Sequence, residues 1–353
     1  MDRSSPHIKR VTSADVAKRV GVSRPTVSAV FGARGGTRVS QDLRQRILDA
    51  ANRMGYRTNT AARAMRRGRF GAIGVVQATE SNRGNLSRTA LYAIQTRAVE
   101  HDMHLTMGMV PDENLSDPAG LPKVLREWCV DGLLISYTSE IPALMNAHIE
   151  RHCVPAIWMN IKNEQDCVYL DDFGGSRGAT DILLELGHRR IAYYGPQPSP
   201  GWHQHYSVTD RFEGYAVAMK RAGFKPAPLF QQAIRVNDLP VPGESVERLV
   251  QHVRSPDRPT AIVVTAEAAD VLCAARLAGL SVPRDLSLVV LTEGIHTVLG
   301  VKPTQMRLHT FGMGYRAFDQ LVKKVQRPRQ PLDPVAVYCT FDRGQTLAAP
   351  AAR

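Results

Sequence analysis

The chain of 353 residues has few cysteines and no long apolar run. No stretch of about 18 apolar residues occurs, so no segment is suited to cross a membrane. The first six residues lack the apolar region of a secretory leader. The five cysteines are scattered and include no C-x-x-C pair, which argues against structural disulfides and a thiolate zinc site. These absences predict a cytoplasmic protein in a reducing compartment.

Motifs that mark common enzyme classes are also missing. The sequence contains no G-x-S-x-G elbow, no phosphate-cradling glycine-rich loop and no H-E-x-x-H. His203 and His205 are two residues apart, with neither cysteines nor paired carboxylates nearby, so they support a zinc site only weakly. We predict no enzyme activity, no cofactor and no metal, and a solvent-facing loop at residues 202–205. His188 follows Gly187 at a helix end, where we expect an imidazolium that caps carbonyl groups.

Acidic residues are scarce in the first 69 positions, whereas basic residues are abundant there. This head holds 16 of the 45 Lys and Arg residues but only 4 of the 33 Asp and Glu residues. The other 284 residues therefore balance in charge, and the head carries the whole formal net charge of +12. Cationic side chains that face a polyanion release its condensed counterions, which favours binding. The charge distribution predicts that the head binds nucleic acid.

The basic head also has the pattern of a helix-turn-helix. Residues 12–15 form a capping box, Gly21 ends the first helix, and Ser23 begins a second helix as its N-cap. A third helix is expected between Ser40 and Gly55. Two short helices joined by a tight turn place the second helix in the major groove of DNA. The residues expected to contact DNA from this unit are Thr12, Ser23, Arg24, Pro25, Thr26, Ser28 and Ala29.

From residue 70 onward, short apolar runs alternate with amphipathic stretches. This alternation predicts parallel strands joined by helical crossovers, and the length is sufficient for two sheets of about five strands each. Ligands of such open sheets bind beyond the carboxyl ends of the strands. The strands predicted by the pattern are residues 72–78, 104–110, 132–137, 155–160, 190–194, 261–265 and 286–291.

Several motifs together carry a resemblance to a known family. Residues 12–28 contain the pattern D-V-A-x-x-x-G-V-S-x-x-T-V-S, and similar marks follow at residues 54–69, 171–192 and 282–290. The chain resembles the lactose-repressor/galactose-repressor (LacI/GalR) family over about residues 8–345. The resemblance implies an α/β protein with an N-terminal all-α helix-turn-helix DNA-binding head. The rest is implied to be a two-lobed, periplasmic-binding-protein-like core of parallel sheets.

The resemblance also implies a domain organisation. The expected parts are a DNA-binding domain at residues 8–58, a hinge helix or linker at 59–69, and an effector-binding and dimerisation core at 70–347. The two lobes of the core are expected to comprise about residues 70–165 with 303–328, and about residues 166–300 with 330–347. Crossings between the lobes are expected near residues 160–170, 295–303 and 327–333.

The hinge segment adds further residues to the predicted DNA contacts. In relatives a short hinge helix orders in the minor groove, and here Met65 stands in the place of its apolar wedge. Ala29 replaces a bulkier, often cationic residue and cannot make a bidentate contact with guanine. Direct reading of bases is therefore expected to depend on Arg24 and on groove shape. The hinge residues implied to contact DNA are Asn59, Ala62, Arg63 and Met65.

The same resemblance implies an effector in the cleft between the lobes. Relatives commonly have Asn-Asp where this chain has Ala266-Glu267, and arginine where it has Thr209. These replacements remove groups that hold sugar hydroxyls or purines, so either the ligand is different or the cleft has lost its ligand. For several of the candidates a structural role is the alternative. The candidates are Ser136, Asn160, Asp172, Trp202, Arg211, Glu267 and Glu293.

The combined prediction is a sequence-specific DNA-binding transcriptional regulator that acts as a repressor. Its expected partners are a double-stranded DNA operator, a small-molecule effector (a sugar or related metabolite) and a second copy of itself in a homodimer. No association with a membrane is expected. The alternative is an architectural DNA-binding protein with a vestigial, ligand-free core. Salt-dependent binding without sequence preference favours that alternative, whereas a large specificity ratio favours the regulator.

Overall fold

The chain divides into two compact units. A computed structural model describes residues 10–31, 39–57, 68–79, 84, 86–110, 129–138, 141–198, 204–231, 244–294 and 297–351. Described residues up to Gly71, together with Cys129–Asp131, belong to the first unit, and the remaining described residues belong to the second.

The first unit contains three helices within its described part: α1 (Ser13–Val20), α2 (Arg24–Phe31) and α3 (Gln41–Met54). Each helix contributes one fully buried side chain to a shared core, namely Val16, Val27 and Ile47. The capping box at residues 12–15 is confirmed, and Gly21 ends α1 in the left-handed conformation at a φ of 77°. Local capping signals therefore set the helix boundaries of the head.

The second unit alternates strands and helices along most of its length. Its elements in chain order are β1 (Ala72–Ala78), α4 (Arg88–Glu100), β2 (His104–Val110), β3 (Gly132–Ser136), α5 (Ala143–Arg151), β4 (Ala156–Met159), β5 (Cys167–Leu170), α6 (Asp172–Glu185), β6 (Ile191–Pro196), α7 (Tyr206–Arg221), β7 (Ala227–Gln231), α8 (Glu244–Arg254), β8 (Ala261–Val264), α9 (Ala268–Leu277), β9 (Ser287–Thr292), β10 (Thr304–Arg307), α10 (Thr310–Gln326), β11 (Val335–Val337) and β12 (Thr340–Asp342).

These strands form two sheets of six strands each. The order is β11-β5-β4-β3-β1-β2 in the first sheet and β12-β10-β9-β8-β6-β7 in the second. All pairs in the first sheet are parallel, and in the second only β12 runs antiparallel, against β10. The predicted α/β class with two parallel sheets is confirmed.

The strands β6, β8 and β9 of the second sheet are buried on both faces, which explains why they are apolar at nearly every position. Tyr194, Val264 and Val290 pack on one face in a cluster with residues of α8 and α9. The alternate residues Tyr193 and Val263 pack on the other face with residues of α6 and α7. Because successive side chains of a strand point to opposite faces, neither face can carry a polar stripe.

The division between the lobes differs from the expected one. Both β5 and β11, expected in the second lobe, belong to the first sheet, and β10, expected in the first lobe, belongs to the second sheet. The chain therefore passes between the sheets after residues 170, 307 and 337. The two later crossings lie several residues beyond their expected positions. These strands are only three or four residues long, too short for a periodic pattern to assign them to a sheet.

His188 is buried, and the expectation of a helix-capping imidazolium is wrong. Its Nε2 lies 2.8 Å from the carbonyl oxygen of Ala348, which can only accept, so Nε2 carries the proton. Nδ1 lies 2.8 Å from the Thr260 hydroxyl, which donates to it. Burial lowers the pKa of His188 below its ordinary value of 6.5. The neutral ring thus connects the C-terminal segment to the start of β8.

Replacing His188 by Ala removes both hydrogen bonds and is expected to cost about 2–3 kcal/mol in the free energy of unfolding at pH 7.5. The folded-state pKa is lowered, so this contribution is complete above pH 6.5 and declines as the pH falls through the folded-state value. Urea unfolding at pH 7.5 and pH 5.5 measures the difference between wild type and variant, which should shrink at the lower pH. The exposed His104 provides the control His104→Ala, and an equal cost of His188→Ala at both pH values would contradict the assignment.

Candidate functional site

The first turn of α2 is the exposed end of the head's second helix. Arg24 and Pro25 are exposed, and Thr26 is half-buried. The Ser23 hydroxyl accepts the backbone N–H of Thr26 at 3.3 Å and lies 2.8 Å from the Thr26 hydroxyl. Arg24 Nε donates to the Ser13 hydroxyl of α1 at 3.2 Å. A cation and two hydroxyl groups therefore surround a helix N-terminus, which itself favours phosphate groups.

The other predicted DNA contacts lie in several different places. Thr12 is exposed, and its hydroxyl donates to Asp15 at 2.7 Å as part of the capping box. Ser28 and Ala29 are half-buried on α2. Hinge residues Asn59, Ala62, Arg63 and Met65 lie outside the described residues. Exposed cations of the head that were not predicted as DNA contacts include Lys18, Arg19, Arg44, Arg46 and Arg53.

A cavity of about 440 Å³ lies in the second unit at the carboxyl ends of strands from both sheets. Four of the predicted effector residues line it: Asn160, which follows β4; Asp172; Arg211; and Glu293, which follows β9. Binding at the carboxyl ends of parallel strands is the general behaviour of open α/β sheets. The remaining residues of the lining are Thr138, Leu170, His205, Ser207, Leu291, Thr292 and Leu308.

An ion pair between Asp172 and Arg211 lies in the wall of this cavity. Arg211 Nε, on α7, donates to Asp172 Oδ1, at the start of α6, over 2.6 Å. The Asp172 side chain is 1% exposed. Burial opposes the charge of Arg211, but the adjacent carboxylate raises the pKa of Arg211 above its ordinary value. Asp172 Oδ2 is buried and has no hydrogen-bond partner among the described residues.

His205 and Tyr206 connect α7 to the ends of β4 and β5. His205 Nε2 donates to the carbonyl oxygen of Asn160 over 2.8 Å, while Nδ1 accepts the Ser207 backbone N–H at 3.3 Å. Burial lowers the pKa of His205, which favours the neutral ring that this pattern requires. The Tyr206 hydroxyl accepts the backbone N–H of Leu170 at 3.0 Å. The prediction that residues 202–205 form a solvent-facing loop is therefore wrong for His205. Trp202 and His203 lie outside the described residues.

The predicted effector residues Ser136, Glu267 and Glu293 occupy different environments. Ser136 is buried at the end of β3 and does not line the cavity. Glu267 is exposed at the N-cap of α9, makes no side-chain capping bond and is also outside the lining. Glu293 is exposed to the cavity, where it accepts a hydrogen bond from the Thr310 hydroxyl at 3.3 Å.

Several polar residues of the lining were not predicted from the sequence. Thr138 and Thr292 lie at the carboxyl ends of predicted strands, so their positions carried a usable signal. For His205 and Ser207 no such signal existed, because they lie at the start of a helix, which begins at Tyr206, and not at the end of a predicted strand. Their contribution becomes visible only when α7 is seen against β4 and β5.

Comparisons with known proteins agree with this arrangement of head and core. The family "bacterial regulatory proteins, lacI family" matches residues 12–59, and the periplasmic binding protein-like domain matches residues 180–347. The transcriptional repressor PurR of Escherichia coli O139:H28 (strain E24377A / ETEC) is 29% identical over 93% of this chain and 94% of its own length. The transcriptional regulator RegA of Clostridium saccharobutylicum is 27% identical over 89% of this chain and 92% of its own length.

The fold is also that of a solved repressor structure. A crystal structure of the Lac repressor dimer bound to operator and the anti-inducer ONPF aligns with a TM-score of 0.76 and 21% identity, over 97% of this chain and 100% of that chain. Residues 12–59 thus form a domain of the lacI family of bacterial regulatory proteins, and a periplasmic binding protein-like domain follows it in the chain. Within the described residues, no helix is both long and apolar enough to span a membrane.

Replacement of Arg211 by Met should leave the Asp172 carboxylate buried without its cation. We expect a loss of about 3–5 kcal/mol in the free energy of unfolding, measured by urea denaturation. The double variant D172N/R211M should regain part of this loss, because it removes the unpaired charge. Arg221 on the same helix is 65% exposed and pairs with Asp181, so Arg221→Met is the control, expected to cost less than about 1 kcal/mol. Equal costs for the two arginines would exclude a special role for the buried pair.

Proposed function

We propose that this protein is a homodimeric transcriptional repressor that binds a specific DNA operator through its head and a small-molecule effector in the core cavity. Occupation of the cavity changes the affinity of the protein for its operator. The observation that carries the proposal is the exposed N-terminal turn of α2, with Arg24 and Pro25, on a head that holds the entire charge excess of the chain.

The head is suited to groove binding because its core fixes the direction of α2. Val16, Val27 and Ile47 are fully buried between the three helices, so α2 presents one constant side to solvent. In helix-turn-helix proteins the N-terminal residues of the second helix contact base edges. Arg24 is the one residue of this turn that can make a bidentate contact with guanine. The relative PurR is named a transcriptional repressor, which supports repression as the direction of control.

The cavity supports control by a ligand. It is bounded by residues of both sheets, and the contacts of His205 and Tyr206 connect α7 with the ends of β4 and β5. A compound that binds one arrangement of the two sheets better than another shifts the equilibrium between them. The Lac repressor structure described above contains both an operator and a small ligand, which is consistent with such coupling here.

An apolar surface beside the first sheet supports the homodimer. Tyr92 and Val99 are seven residues apart on α4 and share one face, and Met107 and Met109 share one face of the edge strand β2. Phe311 of α10 extends the surface, with its ring 6.2 Å from that of Tyr92. All five side chains are exposed, from 39% for Phe311 to 79% for Val99. Exposed apolar surface of this kind marks interaction sites, and a second copy is the partner that symmetric operator reading requires.

The proposed repressor and the architectural alternative make different predictions for the variant Arg24→Ala. If Arg24 reads a base, Arg24→Ala should cost about 1–3 kcal/mol at the operator and leave the affinity for random DNA nearly unchanged. An operator is first selected from a random oligonucleotide pool with the wild-type protein, and both DNAs are then titrated by fluorescence anisotropy. The exposed arginine at the end of α3 provides the control Arg53→Ala. An equal loss on both DNAs would make Arg24 a phosphate contact and would favour the architectural alternative.

Introducing a charge into the apolar surface should separate the dimer. Val99→Glu is expected to weaken self-association at least about tenfold, because two carboxylates would be desolvated near each other. Sedimentation velocity over a range of concentrations measures this change, and Met107→Glu tests the same surface from β2. Val217 on α7 is 45% exposed, so Val217→Glu is the control. Dimers of unchanged stability in both test variants would show that the interface lies elsewhere.

A further inference from the structure

The lining of the cavity is mostly polar. Eight of its eleven residues carry hydrogen-bonding side chains, the three exceptions are leucines, and no Phe, Tyr or Trp lines it among the described residues. A flat apolar ligand would find only the imidazole of His205 to stack on among these residues, whereas a compound with several hydroxyl groups would find a hydrogen-bonding group on most sides. The lining therefore favours a polyhydroxyl compound.

Asp172 is the most buried polar residue of the lining, and one of its two carboxylate oxygens has no donor among the described residues. Asp172 is 1% exposed, and its Oδ1 receives Arg211 Nε. The other carboxylate oxygen, Oδ2, is buried without a partner among the described residues. Buried polar atoms are nearly always hydrogen-bonded. A ligand that donates an O–H or N–H at this position would satisfy Oδ2.

The charges of the lining do not balance. Asp172 and Glu293 are the carboxylates, and Arg211 is the lining's one Arg or Lys, already paired with Asp172. His205 is kept neutral by burial, which lowers its pKa. Glu293 receives only the hydroxyl of Thr310 among the hydrogen bonds of the described residues. Among the described residues, the Glu293 carboxylate thus forms no ion pair with a cation.

Cations close to the cavity are bound to other carboxylates. Lys162 forms an ion pair with Asp210. Lys302 and Arg307 both bind Asp342, at 3.1 and 2.8 Å, although the buried Nε of Arg307 has no hydrogen-bond partner among the described residues. Neither pair of contacts involves a residue of the lining. A ligand phosphate or carboxylate would therefore meet a lining whose charge is negative overall, because Asp172 offsets the charge of Arg211 and Glu293 remains.

We propose that the cavity binds a small polyhydroxyl compound that carries an ammonium group. The ammonium group binds the Glu293 carboxylate, and hydroxyl groups donate to Asp172 Oδ2 and to the polar side chains around it. The proposal deepens the proposed function, because it names the class of the effector. It also separates this cavity from one built for an anionic effector, such as a sugar phosphate or a sugar acid.

Three compounds with the same six-carbon chain test the charge preference. Glucamine (1-amino-1-deoxysorbitol) is cationic at pH 7, sorbitol is neutral and gluconate is anionic. Isothermal titration of the full-length protein should give affinities in the order glucamine, sorbitol, gluconate, with about tenfold between the first two, the usual gain of a hydrogen bond to a charged group. Gluconate binding as tightly as glucamine, or no heat of binding with glucamine at millimolar concentrations, would overturn the proposal.

A variant at Glu293 tests the assigned partner. Glu293 is exposed, so Glu293→Gln leaves the buried ion pair intact and should make the affinities for glucamine and sorbitol equal. The matched control is Glu213→Gln, at an exposed carboxylate of α7 outside the lining, which should keep the tenfold preference. A preference for glucamine that persists in Glu293→Gln would also overturn the proposal.

Operator binding by the same preparations separates this proposal from the function on which it rests. If glucamine does not bind but the protein still discriminates its selected operator from random DNA, only the class of the effector is wrong. If that discrimination is absent, the proposed repressor function is wrong whatever the cavity binds. The two failures are therefore distinguishable in one set of samples.

Discussion

The buried ion pair between Asp172 and Arg211 is the constraint around which the cavity is organised. It joins the first turn of α6 to the second turn of α7, and these two helices pack together on one face of the second sheet. A carboxylate and a guanidinium withdrawn from water must remain together, since separating them leaves an uncompensated buried charge. The pair thereby fixes the start of α7, and with it His205 and Tyr206, which reach β4 and β5. Asp172 lines the cavity, and its buried Oδ2 has no donor among the described residues, so the pair that stabilises the core also contributes to the chemistry of the lining.

The head and the core obtain their structure from interactions of different range. In the head, the boundaries of α1 and α3 follow from capping residues and left-handed glycines, all of them signals within a few residues of the helix ends. For that reason the sequence alone was sufficient to predict the three helices and the exposure of Arg24 and Pro25. The long strands of the core were also predictable, because burial on both faces makes each of them a nearly continuous apolar run.

The remainder depended on long-range pairing that no local pattern reveals. The exchange of β5, β10 and β11 between the expected lobes rests on three or four residues in each strand. His205 was predicted to face solvent because its partner, the carbonyl of Asn160, is 45 positions away in the sequence. His188 was assigned a charge because its partners, Thr260 and Ala348, are equally remote. Asn160, Asp172, Arg211 and Glu293 were predicted from the resemblance, but their convergence on one cavity is a property of the fold.

The position of the cavity relative to the crossings suggests how a ligand acts on the core. Leu170 and Asp172 flank the first crossing between the sheets, and Leu308 lies on the second, so residues of two of the three connecting segments line the cavity. Segments at element ends are where two-lobed folds absorb changes in backbone angle. A ligand in the cavity therefore contacts the connections themselves as well as the lobes that they join. Because a ligand shifts an equilibrium only through its different affinity for the two states, contacts with Asp172 and Leu308 are the ones whose geometry changes most directly with the angle between the sheets. In the proposed function, the same few residues that give the lining its chemistry also control operator binding.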